Sequence, residues 1–308
     1  MDYLATIVQL VLFPGLVFTA VAGLVTTWID RKVTARVQMR VGPPFLQPFY
    51  DIAKYLIKET TVPAGSTRWV FLLAPLVGFA GVLLASMIIW NALLFPHKAF
   101  VGDLIVVLYL LTMPSLSVIL GAFASRNPVA SLGGSREMKL VMAYELPFVL
   151  AILVPVIKAH SIGLGQLATT WSSYLAPSGV LAAIVAIVCM QAKLTLVPFD
   201  QAEAETELAG GACLEYSGPP LGIFKLTRAM MQFVVPMFLI TVFFGGLNIG
   251  EGGIKIGYGI LKYIVLTVII VLIRNTAPRL RIDQAVRFFW GPVSAAAMIA
   301  VVFALLGW

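Results

Sequence analysis

Long apolar stretches alternate with short polar ones along the chain, and eight of the apolar stretches read as membrane-spanning helices. They cover roughly 4–28, 69–96, 104–125, 140–158, 179–199, 221–250, 256–273 and 288–308. Pro114, Pro147, Pro155 and Pro236 fall inside them, which membrane helices tolerate because neighbouring groups re-satisfy the freed backbone. Lys262 interrupts the seventh, so that segment is expected to turn toward protein or a water-filled cavity. The first polar connection has its own pattern. Its stretch "FLQPFYDIAKYLIKE" puts Phe45, Phe49, Ile52, Leu56 and Ile57 on one helical face, with Asp51, Lys54 and Lys58 largely elsewhere. That predicts an amphipathic helix at the membrane interface. The fold class is an all-α polytopic membrane protein forming one integral membrane domain: about eight transmembrane helices plus the interfacial one.

Composition supports this reading. Of 308 residues 60% are hydrophobic and 11% charged, with mean hydropathy +0.98, too little polar surface for a soluble domain of this size. The formal charge of +7 raises nucleic acid as a partner, but topology explains it better. The connections between spans 1–2, 3–4, 5–6 and 7–8, with the flanking helix ends, hold 17 of the 21 Lys and Arg residues; Lys98, Lys158, Lys255 and Lys262 are the four on the other side. The positive-inside rule makes the first set cytoplasmic and sends both termini outside. The lipid bilayer is the expected partner and nucleic acid is not.

The candidate chemistry is sparse. Cys189 and Cys213 are too few for the thiolates of an iron–sulfur cluster, and neither His97 nor His160 has a metal-spaced neighbour. No glycine-rich phosphate loop or dinucleotide fingerprint occurs. The chain is read as holding no metal or cofactor, so any electrons belong to other chains. Trp28, Trp69, Trp90 and Trp308 read as interfacial anchors, and Cys189 as a small core residue.

Acidic residues are concentrated in one place. The connection "PFDQAEAETELAGGACLEYSG", 198–218, carries Asp200, Glu203, Glu205, Glu207 and Glu215, five of the 14 Asp and Glu residues. If 200–207 were helical, Asp200, Glu203 and Glu207 would share a face and Glu205 would point away. Clustered, partly desolvated carboxylates raise one another's proton affinity, which suits a proton path or a switchable charge; a solvated, partner-facing loop is the plainer reading. The flanking Gly210–Gly211 and Gly218–Pro219–Pro220 suggest a folded segment. A further carboxylate, Glu145 in "AYELP", lies within the fourth span. A charge there is costly, so Glu145 is expected to be protonated, paired or hydrated. Lys193, Lys225, Arg228 and Lys262 are its candidate charge partners, and the sequence does not choose among them.

Four stretches in this order, "ARVQMRVGPPFLQPFYDIAKYLIKE", "AYELP", "PFDQAEAETELAGGACLEYSG" and "RNTAPRLRIDQAVRFFW", resemble NADH dehydrogenase subunit 1, one of the membrane subunits of respiratory complex I. They resemble equally the related membrane subunits of energy-converting [NiFe] hydrogenases and formate hydrogenlyase. The likeness runs over nearly the whole chain. It implies a coupling role between a peripheral arm that carries electrons and a membrane arm that moves H+ or Na+. The implied partners are hydrogenase-like large and small subunits, an Fe–S subunit and antiporter-like membrane subunits; the [NiFe] centre and [4Fe-4S] clusters would sit in those partners. On this resemblance Asp200, Glu203, Glu205, Glu207 and Glu215 form the coupling loop and Glu145 the intramembrane relay. Arg36, Arg40, Asp51 and Lys54 line the chamber or contact the peripheral arm.

Departures from the quinone-using pattern favour the hydrogenase branch. This chain has the contracted "GPPFLQP", and in "AKLTLVPFD" Lys193 and Leu196 stand where quinone-using subunits typically have Glu and Arg. Arg228 replaces a Glu typical of the following helix, while "GGSRE" and "RLRID" look like the hydrogenase branch. A quinone-site subunit of a complex I-type dehydrogenase and a secondary ion transporter are the competing readings, the latter without the internal repeat such transporters often show.

Overall fold

The computed structural model describes residues 8–96, 102–169, 176–247 and 253–308, with the backbone but not the side chains of 205–206 and 253–255. His97 and Lys98 lie outside the described residues, as do the side chains of Glu205 and Lys255.

Among the described residues, seven helical segments are long and apolar enough to cross a membrane. The first, Val8–Val37, contains α1 (Leu16–Val37). The interfacial segment forms α2 (Gln47–Ile57), with Pro48 in its first turn, where a missing N–H costs nothing. Leu56 and Ile57 are exposed on it, as a lipid-facing surface requires. Next come α3 (Arg68–Leu94) and a span in two pieces, α4 (Asp103–Leu110) and α5 (Met113–Ala124).

The fourth span starts well before the expected residue 140. It is α6 (Pro128–Ala159), 32 residues long. Asn127 caps it, its side chain accepting from the Val129 N–H at 2.8 Å, and Pro128 takes the first helical position. Both are ordinary helix-start signals, but the polar run "SLGGSRE" hides the apolar period there. Short α7 (Leu164–Thr169) follows. The fifth expected span is shorter than the sequence suggests: α8 (Pro177–Lys193) has only 17 residues. Thr195 then takes a positive φ of 50°, and Pro198 disfavours helix at the residue before it.

The acidic connection does not form one helix over 200–207. It makes a 3₁₀ turn at Gln201–Glu203, breaks at Ala204, and adds one turn of α9 (Glu205–Leu208). Leu280 donates its N–H to the Pro198 carbonyl at 3.1 Å, and Gln201 donates to the Leu280 carbonyl at 3.3 Å. Tertiary anchoring thus overrides local helical period. The remaining spans are α10 (Gly218–Phe243), α11 (Gly253–Thr276), and a last one built of α12 (Ile282–Phe288), a π turn over Phe289–Val293 and α13 (Ser294–Leu305).

The most apolar stretch of α10 is 83% buried, against 22–50% for the other spans, so α10 is the central helix. It packs against α1, α2 and α3, while α6 packs against α5, α8 and α13. Polar links tie α1 to its neighbours: Thr27 donates to Gln232 at 3.1 Å, Thr26 pairs with Tyr263 at 2.6 Å, and Arg274 binds Asp30 at 2.6 Å. Lys262 turns inward, donating to the Phe244 carbonyl at 2.8 Å, as its position in an apolar span demands. Trp90 is no interfacial anchor. It is buried in a ring cluster with Phe18 at 5.1 Å and Phe13 at 5.7 Å, whereas Trp69 and Trp308 are exposed.

Candidate functional site

The acidic connection is clamped at its far end by "EYSG", and each side chain of the motif holds a different part of the protein. Glu215 accepts from Asn127 Nδ2 at 2.5 Å, fastening the loop to the start of α6. Tyr216 donates to the Phe71 carbonyl at 2.9 Å and stacks on the Phe71 ring at 4.0 Å. Ser217 pairs with the Thr61 hydroxyl at 2.6 Å. Gly211 closes the loop on itself with φ +63°, and a Cβ there would lie 1.9 Å from the Ala202 carbonyl, which leaves room only for glycine.

The expected single face of carboxylates does not exist. Asp200 binds Arg279 at 2.8 Å. Glu203 pairs with Arg228 and lies 3.9 Å from Lys225. Glu207 binds Arg136 at 2.5 Å. The physical reason is partner geometry: α6, α10 and the segment before α12 each present a cation to a different carboxylate, so the acids meet opposite charges rather than one another. Burial works against the charge on Glu203, but Arg228 and Lys225 outweigh it and hold the carboxyl below its ordinary range. The expected mutual raising of proton affinity is therefore reversed at Glu203. Asp200, Glu207, Arg136, Arg279, Arg281 and Asp283 line a polar recess of about 170 Å³ on this face.

Glu203 and Arg228 lead inward. With Ser115, Glu137, Lys193 and Thr195 they line a small cavity of about 60 Å³ between the loop and the helices, room for a few waters. Glu137 is 2% exposed and Lys193 3% exposed. Among the described residues, Glu137 Oε2 and Lys193 Nζ have no hydrogen-bond partner. The Ser115 hydroxyl serves the Glu137 carboxylate, and Lys193 Nζ lies 5.4 Å from the Tyr144 ring centre and 5.1 Å from that of Phe148. Cys213 also lines this cavity. Burial, aided by Glu203, pushes its thiol up to about 12, so it remains a neutral thiol.

Glu145 stands further along α6, half-buried. Lys193 is the candidate partner within electrostatic reach of it; Arg228 and Lys225 are committed to Glu203, and Lys262 to Phe244. A deeper acid than Glu145 is hidden in the sequence. With the span read from residue 140, Glu137 falls in a polar connection, although Glu137, Tyr144 and Phe148 at i, i+7 and i+11 share one helical face.

Lys225 and Arg228 also border a second cavity, of about 290 Å³, between α1, α2 and α10. Arg31 and Asp51 line it, bound to each other at 2.7 Å. Burial opposes the Asp51 charge, but hydrogen bonds from Arg31 and Gln47 prevail and hold its carboxyl low. Arg36, Arg40 and Lys54 are exposed and line none of these cavities.

Fold and site together define a polytopic helical membrane protein whose charged loop opens onto a buried file of ionisable groups. The NADH dehydrogenase family matches residues 8–305. The H-type membrane chain of NADH-quinone oxidoreductase from Dehalococcoides mccartyi is 34% identical, with 97% of this chain and 87% of that one covered. Its counterpart from Syntrophotalea carbinolica is also 34% identical, with 94% and 93% covered. Among solved structures, a chain of the membrane-bound sulfane sulfur reductase, an archaeal respiratory membrane complex, superposes with TM-score 0.85 at 28% identity over 94% of this chain and 96% of that one. The chain belongs to the NADH dehydrogenase family, among its H-type membrane subunits.

Proposed function

We propose that this chain is the membrane-anchoring and coupling subunit of a complex I-like oxidoreductase of the energy-converting hydrogenase type. It links electron transfer in a peripheral arm to H+ or Na+ translocation. The observation that carries this reading is the set of ionisable groups between the acidic loop and the membrane-spanning helices: Glu203 and Arg228, bound to each other, Glu137 and Lys193 lining the same cavity, and Glu145 beyond, within electrostatic reach of Lys193. Buried ionisable groups in a membrane interior are costly and mark ion or proton paths. Glu145 lies beside the exposed apolar residues Met142, Leu146 and Val149 of α6, a face on which antiporter-like membrane subunits would continue the path. Exposed Arg36, Arg40 and Lys54, with the charged recess at Asp200 and Glu207, offer the peripheral arm its contact. The [NiFe] centre and [4Fe-4S] clusters would belong to that arm. The acidic loop is cytoplasmic in this reading, with both termini outside.

The test of coupling is Glu145→Gln in the intact complex. Ion translocation per electron should fall several-fold while electron transfer and assembly persist; undiminished translocation would remove Glu145 from the path.

The second reading is a quinone-site subunit, and two observations favour it: the curated relatives are NADH-quinone oxidoreductase subunits, and the 290 Å³ cavity sits beside the interfacial helix α2. Metal analysis of the complex, purified gently through this chain, separates the two. Nickel with abundant iron supports the hydrogenase branch; iron without nickel supports a quinone- or sulfur-reducing relative.

A further inference from the structure

Helices α3 and α5 run antiparallel in close contact. A Cβ on Gly78 would collide with the Ser117 side chain, and one on Gly81 would lie 2.6 Å from Met113 Cβ. At one end of the pair a backbone hydrogen bond joins them, the Thr67 N–H donating to the Ala124 carbonyl at 3.0 Å. Arg68 begins α3 one residue after Thr67, and Arg126 follows the end of α5 by two residues, so this bond brings two cations to the same corner. Both are exposed. Among the described residues neither has a carboxylate within salt-bridge distance or an acceptor for its guanidinium. Glu215, the acid drawn toward this corner, accepts from Asn127 instead. Arg126 also sits where its backbone is strained. Its φ is +56°, the left-handed position after a helix that glycine or asparagine fills with least strain.

The surroundings of the two arginines are those of a membrane surface. They stand at the ends of apolar spans, Arg68–Leu94 and Asp103–Ala124, which is the depth of the lipid head groups. Large apolar side chains flank them: Trp69 is 77% exposed and Phe123 46%. Leu73 and Leu120, about one turn further in, are exposed as well. An indole at the boundary with aliphatic side chains below it suits lipid rather than a water-soluble partner. We propose that Arg68 and Arg126 hold the phosphodiester of an anionic phospholipid, with its acyl chains on the apolar surface below. Guanidinium groups keep their charge and match phosphate oxygens in pairs. A zwitterionic lipid carries its own cation beside the phosphate, so two unpaired arginines favour a lipid of net negative charge. This inference concerns a different part of the molecule from the coupling reading and does not depend on it.

The test places the intact complex in phosphatidylcholine nanodiscs with a minor fraction of photoactivatable phosphatidylglycerol and maps the labelled peptides by mass spectrometry. Labelling should concentrate around Trp69 and Phe123, and photoactivatable phosphatidylcholine at the same fraction should label there several-fold less. Arg68→Gln combined with Arg126→Gln should cut the phosphatidylglycerol labelling about ten-fold, as expected for two cations at an anionic surface. Arg68→Lys with Arg126→Lys should keep most of it. Arg126→Gly separates binding from structure. It should lower labelling several-fold while the thermal midpoint stays the same or rises, since glycine fits φ +56° without strain. A lower midpoint with unchanged labelling would make Arg126 a helix terminator and overturn its role in binding. Equal labelling by the two lipids, or labelling unchanged in the double Gln variant, would overturn the anionic site. No labelling of these peptides would show that protein covers them and would overturn it too. Excess inorganic phosphate should not compete; competition would identify a site for free phosphate instead of lipid.

Discussion

Arg228 has the most demanding position of any single residue. It donates to the Thr195 carbonyl at 2.8 Å as well as binding Glu203, so it joins the end of α8, the loop and α10. Arg228→Gln would leave Glu203 facing only Lys225. Breaking a buried pair by removing one partner typically costs about 3–5 kcal/mol. Here about 2–3 kcal/mol is expected, since both side chains are 27% exposed. Glu203→Gln added to Arg228→Gln should restore most of the loss in detergent-solubilised thermal stability; two additive losses would mean the pair is not the source. The folded-state pKa of Glu203 is lowered from an ordinary 4.5. Its stabilisation is therefore present above pH 4.5 and is lost as pH falls from there through the folded value. The identity of this residue is legible, since Arg228 stands out in an apolar helix. Its partner is not, because several carboxylates and cations are available and only packing selects the pairs.

At the scale of elements, the site depends on how closely the loop lies on α6. Gly133 is the contact point: a Cβ there would lie 2.6 Å from the Ala212 nitrogen and 3.0 Å from the Ala202 carbonyl. Both are backbone atoms that yield only if the loop moves. Gly133→Val should therefore lift the loop from the helix at a cost of about 1–3 kcal/mol, the range for overpacking. Limited proteolysis within 198–217 should accelerate several-fold while the spans stay protected; unchanged cleavage would show that the loop is held elsewhere. The spans themselves are legible because apolar runs of membrane length have few alternatives. The start of α6 is not, because its first turns are covered by the acidic loop instead of lipid and so need no apolar period.

For the whole molecule, apolar length is enough to establish an all-α polytopic membrane protein, and the distribution of Lys and Arg predicts its basic connections on one side. These are properties of the chain against its solvent, and lipid imposes them locally, segment by segment. The four recognisable stretches are likewise enough to point to the family to which the chain belongs. The tertiary structure decided what the charges do. It separated Asp200, Glu203 and Glu207 onto three different cations, put Glu137 deeper than Glu145, and set Lys193 beside the cavity instead of in a salt bridge. The reason is range: burial of apolar surface is written in each segment's own composition, whereas an ion pair depends on a few ångströms between residues as far apart in sequence as Arg136 and Glu207. Only the packed helices supply that distance.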